Sequence, residues 1–221
     1  MTEKTEPVMQ QMTAQGRAIE QGSFAIIDDE IERLHGGHSF TPSEWNVVRR
    51  AIHTTGDFEF AQLFRFSANA TQVALDTLKS GAPIITDVSM IISGLNKSRL
   101  AVHGNQTHCF VSDPEVIRRA KASGRTRSIE AVRYCAEQGL LQGAILAVGN
   151  APTALIEAME IAKQTGVKPA LIIGIPVGFV MAEESKQMLT ETDIPYITSM
   201  GRKGGSPLVV STIHALLTEA V

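Results

Sequence analysis

The fold is decided by the stretch Gly143-Ala144-Ile145-Leu146-Ala147-Val148, which runs directly into Gly149-Asn150-Ala151-Pro152-Thr153. The first six residues are apolar at every position, although successive side chains of a strand point to opposite faces. A strand that is apolar on both faces is typical of a parallel sheet covered by helices on both sides. The following glycine and proline favour a tight turn and a new helix. The stretch therefore predicts one strand–loop–helix unit.

The same pattern of a short apolar run followed by a helical segment recurs four more times between position 81 and the C-terminus. These runs are residues 82–87, 107–111, 170–174 and 194–198. Five such units predict a three-layer α/β/α sandwich with a doubly wound parallel sheet of the flavodoxin-like type. We expect residues 23–221 to form a single domain and residues 1–22 to form a polar, helical tail.

Composition excludes several classes of protein. Of 221 residues, 43% are hydrophobic and 19% are charged, which is ordinary for a globular domain. The net charge of −3 argues against a nucleic-acid partner. The apolar runs are too short to span a membrane, and the acidic start lacks the features of a signal peptide. With only two cysteines and no disulfide framework, the sequence predicts a cytoplasmic protein.

A helix start is encoded at Thr41, where Pro42 and Glu44 complete a capping box with proline at the first helical position. The helix is expected to run to about His53, with Gly56 as its C-cap. His53 follows the apolar residues of this helix and precedes a polar segment. Such a position suits a proton donor that works near neutral pH. Spacing alone leaves a role other than catalysis open for the same histidine.

Polar loops follow the predicted strands, and in open α/β sheets ligands bind beyond the carboxyl ends of the strands. Thr86 and Asp87 end one strand, whereas Asn150 and Thr153 follow another. Helix N-termini with free backbone N–H groups are expected at the same rim, which suits an anion with several charged arms. The alternative is that the glycines of these loops only make tight turns.

Five cations lie within ten residues, at Arg118, Arg119, Lys121, Arg125 and Arg127. A solvated helix face explains most of this run. Arg127 differs because it lies between two helical patterns and next to the predicted rim. If the ligand is a polycarboxylate, the planar guanidinium of Arg127 suits it.

Motifs for nucleotide binding, nucleophilic catalysis, redox catalysis and zinc binding are missing. The sequence has no G-x-G-x-x-G after a strand, no G-x-x-x-x-G-K-[ST], no G-x-S-x-G and no Cys-x-x-Cys or H-E-x-x-H. No metal site is therefore expected. The remaining chemistry is acid–base or positional catalysis on an anionic ligand.

Several segments, taken together and in order, resemble the precorrin-8X methylmutase family of corrin synthesis. They are Ser23-Phe24-Ala25-Ile26-Ile27, Arg50-Ala51-Ile52-His53-Thr54-Thr55-Gly56-Asp57, Gly81-Ala82-Pro83-Ile84, Thr126-Arg127-Ser128, Gly149-Asn150-Ala151-Pro152-Thr153-Ala154-Leu155, Gly174-Ile175-Pro176-Val177-Gly178-Phe179-Val180 and Glu184-Ser185-Lys186. The two segments that begin at Gly149 and Gly174 are specific only in combination.

The resemblance implies an isomerase that moves a methyl group from C-11 to C-12 of precorrin-8X or cobalt-precorrin-8, without a cofactor. It places the catalytic histidine on His53 and substrate contacts on Ser23, Arg50 and Arg127. It also implies a homodimer, and a tightly bound product suggests hand-over to the next enzyme. Two alternatives remain at this stage, namely a corrinoid carrier without catalysis and a flavodoxin-like nucleotide binder.

Overall fold

The computed structural model describes residues 13–220 and contains one six-stranded sheet with helices on both faces. The strands are β1 (Phe64–Phe66), β2 (Ile84–Thr86), β3 (Thr107–His108), β4 (Ile145–Val148), β5 (Leu171–Gly174) and β6 (Tyr196–Ser199). The helices are α1 (Ala14–Leu34), α2 (Pro42–Thr55), α3 (Phe60–Leu63), α4 (Ala70–Lys79), α5 (Ser89–Gly94), α6 (Lys97–His103), α7 (Pro114–Ser123), α8 (Arg127–Glu137), α9 (Pro152–Thr165), α10 (Ala182–Thr190) and α11 (Ser206–Ala220). No helix among residues 13–220 is long and apolar enough to cross a membrane.

The strand order is β1-β6-β5-β4-β2-β3, and all neighbours are parallel except β1 and β6. Counted along the chain, the five parallel strands have the order 2-1-3-4-5 that defines flavodoxin-like sheets. The predicted fold class is therefore confirmed. The order reverses between β2 and β4, so the ligand crevice of such a sheet is expected beyond Thr86 and Val148.

Strand β1 was not predicted, and it makes the sheet mixed instead of wholly parallel. It pairs antiparallel with β6, with Phe64 opposite Ser199 and Phe66 opposite Ile197. Its three residues, with the exposed Arg65 between two phenylalanines, are too few for a recognisable alternating pattern. An antiparallel edge strand on an otherwise parallel sheet is common in such folds.

Successive side chains of the central strands point alternately into two separate apolar layers. Ile145 and Ile173 pack towards α2 and α11 on one face of the sheet. Leu146 and Ile172 pack towards α9 and α10 on the other face. Apolar residues on both faces, which identified the strands in the sequence, thus form the two interfaces of a three-layer sandwich.

The capping of α2 is confirmed, because Thr41 and Glu44 form the capping box and Gly56 ends the helix with a φ of 69°. The helix extends to Thr55, two residues past His53. Helix α1 runs without interruption from Ala14 to Leu34, across the expected boundary between residues 22 and 23. Residues 1–12 of the expected tail lie outside the described residues.

Candidate active site

The loops that follow β5 and β6 interlock at the carboxyl edge of the sheet. A side chain at Gly204 would place its Cβ 2.4 Å from the carbonyl oxygen of Ile175, so only glycine fits there. Gly205 N–H donates to the same carbonyl at 2.8 Å. Gly149, which follows β4, is similarly close to the backbone of Ser206, at 2.8 Å for a Cβ. Three of the loops therefore share one closely packed rim.

The C-terminal end of α2 is fastened to this rim by Lys203, which lies between β6 and α11. The Lys203 ammonium binds the carboxylates of Asp57 and Glu59, the latter at 2.7 Å, just beyond the helix end. These ion pairs lower the pKa of Asp57 and raise that of Lys203. The backbone oxygen of Lys203 accepts bonds from the buried Lys186 ammonium at 2.9 Å and from the Ser199 hydroxyl at 3.0 Å.

His53 is exposed near this fastened end of α2, and its ring meets Phe24 of α1 edge to face, with 5.3 Å between the ring centroids. The Arg50 guanidinium lies 5.3 Å from the centroid of the same Phe24 ring and pairs with Glu20 at 2.9 Å. Ser23 precedes Phe24, and its hydroxyl donates to the Ile19 carbonyl. The predicted residues Ser23, Arg50 and His53 therefore meet where α1 crosses α2.

A groove of about 340 Å³ opens between α2, α5 and α11 beside these residues. It is lined by Arg50, Thr54, Met90, Gly94, Ser206, Pro207, Val210, Ser211 and His214. Two hollows of about 720 and 710 Å³ lie beside β1 and between α9 and α10, but neither contains a predicted site residue. We therefore place the candidate site at the smaller groove and the adjoining rim.

Asp87 lies at the point where the strand order reverses, but it is 95% buried below the surface of the rim. Its carboxylate accepts hydrogen bonds from the N–H groups of Gly149, Asn150 and Ala151 at 3.0, 2.7 and 2.7 Å. Burial raises the pKa of Asp87, and the three N–H groups oppose that rise. Neighbouring Thr86 is also buried and donates to the Val88 carbonyl at 3.2 Å.

Three N–H groups of the loop just before α9 are not free, because the carboxylate of Asp87 accepts them. These groups satisfy the internal carboxylate of Asp87 and do not face a ligand. A carboxylate near a helix N-terminus interacts favourably with the helix dipole, which explains why an internal acid occupies the position. These three N–H groups are therefore not available to a ligand carboxylate at this rim.

Arg127, Asn150 and Thr153 form a second group, on the α8–α9 side of the sheet. Thr126 caps α8, and its hydroxyl lies 3.3 Å from the hydroxyl of Thr153, which joins the two helix starts. Arg127 and Asn150 are exposed. Among residues 13–220, no hydrogen bond or ion pair links this group with Ser23, Arg50 or His53. The predicted residues thus lie in two groups along one edge.

The rest of the basic run behaves as a solvated helix face. Arg118 and Arg119 both pair with Glu115, and Arg125 lies 3.6 Å from Glu130. Arg127 makes no ion pair with any residue in the described range, unlike Arg118, Arg119 and Arg125.

Known proteins resemble the chain over almost its full length. The model of the precorrin-8X methylmutase family matches residues 18–219. The chain belongs to the precorrin-8X methylmutase family. A cobalt-precorrin-8 methylmutase of Leptospira interrogans is 48% identical over 95% of this chain and 96% of its own length. A precorrin-8X methylmutase of a Sinorhizobium species is 37% identical over 91% of this chain and 93% of its own.

A solved structure of a precorrin-8X methylmutase from Thermus thermophilus has a TM-score of 0.84 and 48% identity, covering 92% of this chain and 98% of that one. A second structure, of a protein related to precorrin-8X methylmutase, has a TM-score of 0.79 and 32% identity, covering 89% and 99%. Membership of the methylmutase family thus rests on sequence and on fold together.

Several exposed apolar side chains were not predicted from the sequence. Phe179 and Val180, in the loop after β5, are 83% and 80% exposed, and Met90 is 64% exposed. The Arg202 guanidinium lies 5.5 Å from the centroid of the Phe179 ring. The segment Pro-Val-Gly-Phe-Val was noticed as a family feature, but a hydrophobic pattern gives no sign of whether a loop faces solvent or the core.

Proposed function

We propose that this protein is an isomerase of cobalamin biosynthesis that moves a methyl group from C-11 to C-12 of precorrin-8X or cobalt-precorrin-8. The products are hydrogenobyrinate and cobyrinate, respectively. One observation carries the proposal: the exposed His53 and the half-buried Arg50 lie one turn apart on α2, at the edge of the sheet where a flavodoxin-like fold binds its ligand. The near-full-length similarity to named methylmutases supports it.

His53 acts in this proposal as proton donor and acceptor at the macrocycle. Its imidazole is exposed and is steadied by the edge-to-face contact with Phe24. A positioned general acid typically contributes about 10²–10⁴-fold to a rate. The shift is intramolecular and exchanges no electrons, so the protein's task is to fix the ring conformation and to place a proton.

The substrate carboxylates are held by side chains in this proposal, with Ser23 and Arg50 on one side of the edge and Arg127 on the other. Arg127 is exposed and has no ion-pair partner among residues 13–220, so its guanidinium is available to a carboxylate. Asn150 and Thr153 contribute polar groups beside Arg127. Thr86 and Asp87 support the loop beneath the ligand.

In this proposal the apolar parts of the macrocycle rest on Phe179 and Val180 of the loop after β5 and on Met90 of α5, which lines the groove. Phe179 and Val180 are neighbours in the chain and are both highly exposed, and contiguous exposed apolar side chains can form a ligand-binding surface. Arg202, held over the Phe179 ring, supplies a cation at the border of that surface. A planar tetrapyrrole with charged arms matches this combination.

A cytoplasmic homodimer is the proposed state of the protein, with hand-over of product to the next enzyme of the pathway. Ile19 and Ile26 of α1 are 64% and 60% exposed and lie seven residues apart, so they share one face of the helix. A second copy of the chain would cover this apolar face. Sedimentation equilibrium of the purified protein measures the oligomeric state directly.

The deciding experiment follows the visible absorption spectrum of precorrin-8X mixed with wild-type protein, His53→Ala and His38→Ala. His38 is a matched control, since it is also exposed and also packs on an aromatic ring, Trp45, but at the other end of α2. We expect wild type and His38→Ala to give the hydrogenobyrinate spectrum, and His53→Ala to be slower by at least about 100-fold.

Each alternative function has its own result in this experiment. Binding without conversion by all three proteins, with precorrin-8X and with its cobalt form, would favour the corrinoid carrier. Equal conversion by His53→Ala would remove His53 from the mechanism while leaving the activity in place. Absence of binding would contradict the proposed function altogether.

A further inference from the structure

Arg50 is paired with a carboxylate of the protein itself. Its guanidinium binds Glu20 of α1 at 2.9 Å, and both side chains are partly buried, at 18% and 25% exposure. Arg50 also lines the groove between α2, α5 and α11. The residue proposed to receive a substrate carboxylate is therefore occupied by an acid of the protein itself.

The surroundings of this ion pair are positively charged. Arg99 of α6 is close enough that the charge of Arg50 adds to burial in lowering its pKa, while Glu20 opposes that effect. His214 lines the groove, and burial followed by the charges of Arg99 and Arg50 lowers its pKa. Its Nε2 accepts the backbone N–H of Asn96 at 3.1 Å, which fits a neutral ring.

Glu20 thus supplies the negative charge that compensates Arg50 at this end of the groove. Among residues 13–220, Arg50 makes its ion pair with Glu20, and Arg99 donates to the neutral hydroxyl of Thr218 at 2.6 Å. A ligand carboxylate that approached Arg50 would meet the negative charge of Glu20 at the same guanidinium. Two carboxylates on one guanidinium repel each other, so an external carboxylate competes with Glu20 for Arg50.

We propose that Glu20 holds the position of one substrate carboxylate on Arg50, and that substrate binding exchanges the internal carboxylate for the external one. This inference rests on the proposed function of Arg50. The exchange keeps the guanidinium compensated in both states and replaces one charge-assisted hydrogen bond with another. Its consequence is weaker binding than Arg50 alone would give, which allows a bound corrinoid to be released.

The test measures the Kd of cobyrinate by calorimetric titration for wild type, Glu20→Gln and Asp28→Asn. Asp28 is a matched control, because it also links α1 to α2 through an ion pair, with Arg49 at 2.8 Å. Arg49 does not line the groove. We expect Glu20→Gln to bind cobyrinate about fivefold more tightly, as loss of a partly exposed competing ion pair predicts. Asp28→Asn should keep the wild-type Kd.

A second ligand separates competition for the carboxylate from a change in fold. The fully esterified form of cobyrinate has no carboxylate to exchange, so its Kd should be the same for wild type and Glu20→Gln. Tighter binding of both ligands would overturn the exchange, since it would indicate a general opening of the groove.

The failure of this inference is distinguishable from the failure of the proposed function. If wild type binds cobyrinate and Glu20→Gln binds it equally or more weakly, the exchange is wrong while the function stands. If wild type binds neither cobyrinate nor hydrogenobyrinate, the proposed function fails and the exchange fails with it.

Discussion

At the scale of single residues, Asp87 illustrates how a buried carboxylate can organise a loop that carries no other charge. Its two oxygens receive three N–H groups from residues more than sixty positions later in the chain. The sequence indicated that Asp87 lies at a strand end, because the strand could be recognised locally. Its partners could not be identified, since the contact depends on β2 and β4 being neighbours in the sheet.

Replacing Asp87 with alanine should lower the free energy of unfolding by about 3 kcal/mol, because three buried or half-buried N–H groups lose their acceptor. Asp87→Asn keeps one acceptor oxygen and should lose less. Urea unfolding measures both. Asp29→Ala is the control, since Asp29 forms only an exposed ion pair with Arg33, and it should stay within about 0.5 kcal/mol of wild type.

Lys186 gives the protein a pH dependence at alkaline pH. The side chain is fully buried, and burial lowers its pKa from 10.5 to about 8. Between these values the unfolded chain binds the proton that the folded protein has lost, so the free energy of unfolding rises with pH. Relative to Lys186→Met, wild type should gain about 1.6 kcal/mol between pH 8 and 9.5. Urea unfolding of both proteins at the two pH values is the measurement, and a constant difference would contradict it.

At the scale of elements, helix ends can be predicted from a few neighbouring residues, whereas a short strand depends on pairing with residues distant in the chain. The capping box at Thr41 and the glycine at position 56 defined α2 from sequence alone, since both ends are encoded within a few residues. Strand β1 was missed because three residues carry no pattern and its stability comes from pairing with β6. The continuation of α1 through Ser23 was also not anticipated.

The attachment of α2 to the rim should control the rate of the proposed reaction. Lys203→Met releases Asp57 and Glu59 and frees the helix end that carries His53, so we expect kcat to fall about tenfold. KM should change less, and Lys203→Arg should restore most of kcat because it keeps the charge. The test is steady-state kinetics with precorrin-8X.

The control for this attachment is Lys168→Met, which breaks an ion pair with Asp193 that lies between α9 and β6, away from the groove. Its kcat should equal that of wild type. An equal loss in Lys168→Met would mean that the effect of Lys203 is one of general stability.

At the scale of the whole molecule, the candidate site spans the sheet edge, with Arg50 and His53 over one helix layer and Arg127 over the other. The fold class and the parallel strand order followed from the apolar runs, because burial on both faces is visible in the residues themselves. The division of the site into two groups was not foreseeable. It depends on which face of the sheet each crossover helix covers.

Because Arg50 in α2 and Arg127 in α8 lie in different helix layers and share no ion-pair partner among residues 13–220, their contributions to ligand binding should be additive. We expect Arg50→Ala and Arg127→Ala each to weaken cobyrinate binding about tenfold, and the double variant about 100-fold. Calorimetric titration of wild type, the two single variants and the double variant gives the interaction free energy between the two arginines directly. A double variant no weaker than either single one would show that both arginines hold the same carboxylate.

The two outer strands of the sheet have one more consequence. Strand β1 has three residues and β3 has two, so an exposed edge offers a neighbouring polypeptide only a short ladder of unpaired N–H and C=O groups. Long, flat edges invite strand addition and aggregation, whereas short ones discourage it. The short length of β1, which made it unrecognisable in the sequence, also limits the pairing of this sheet with strands of other polypeptides.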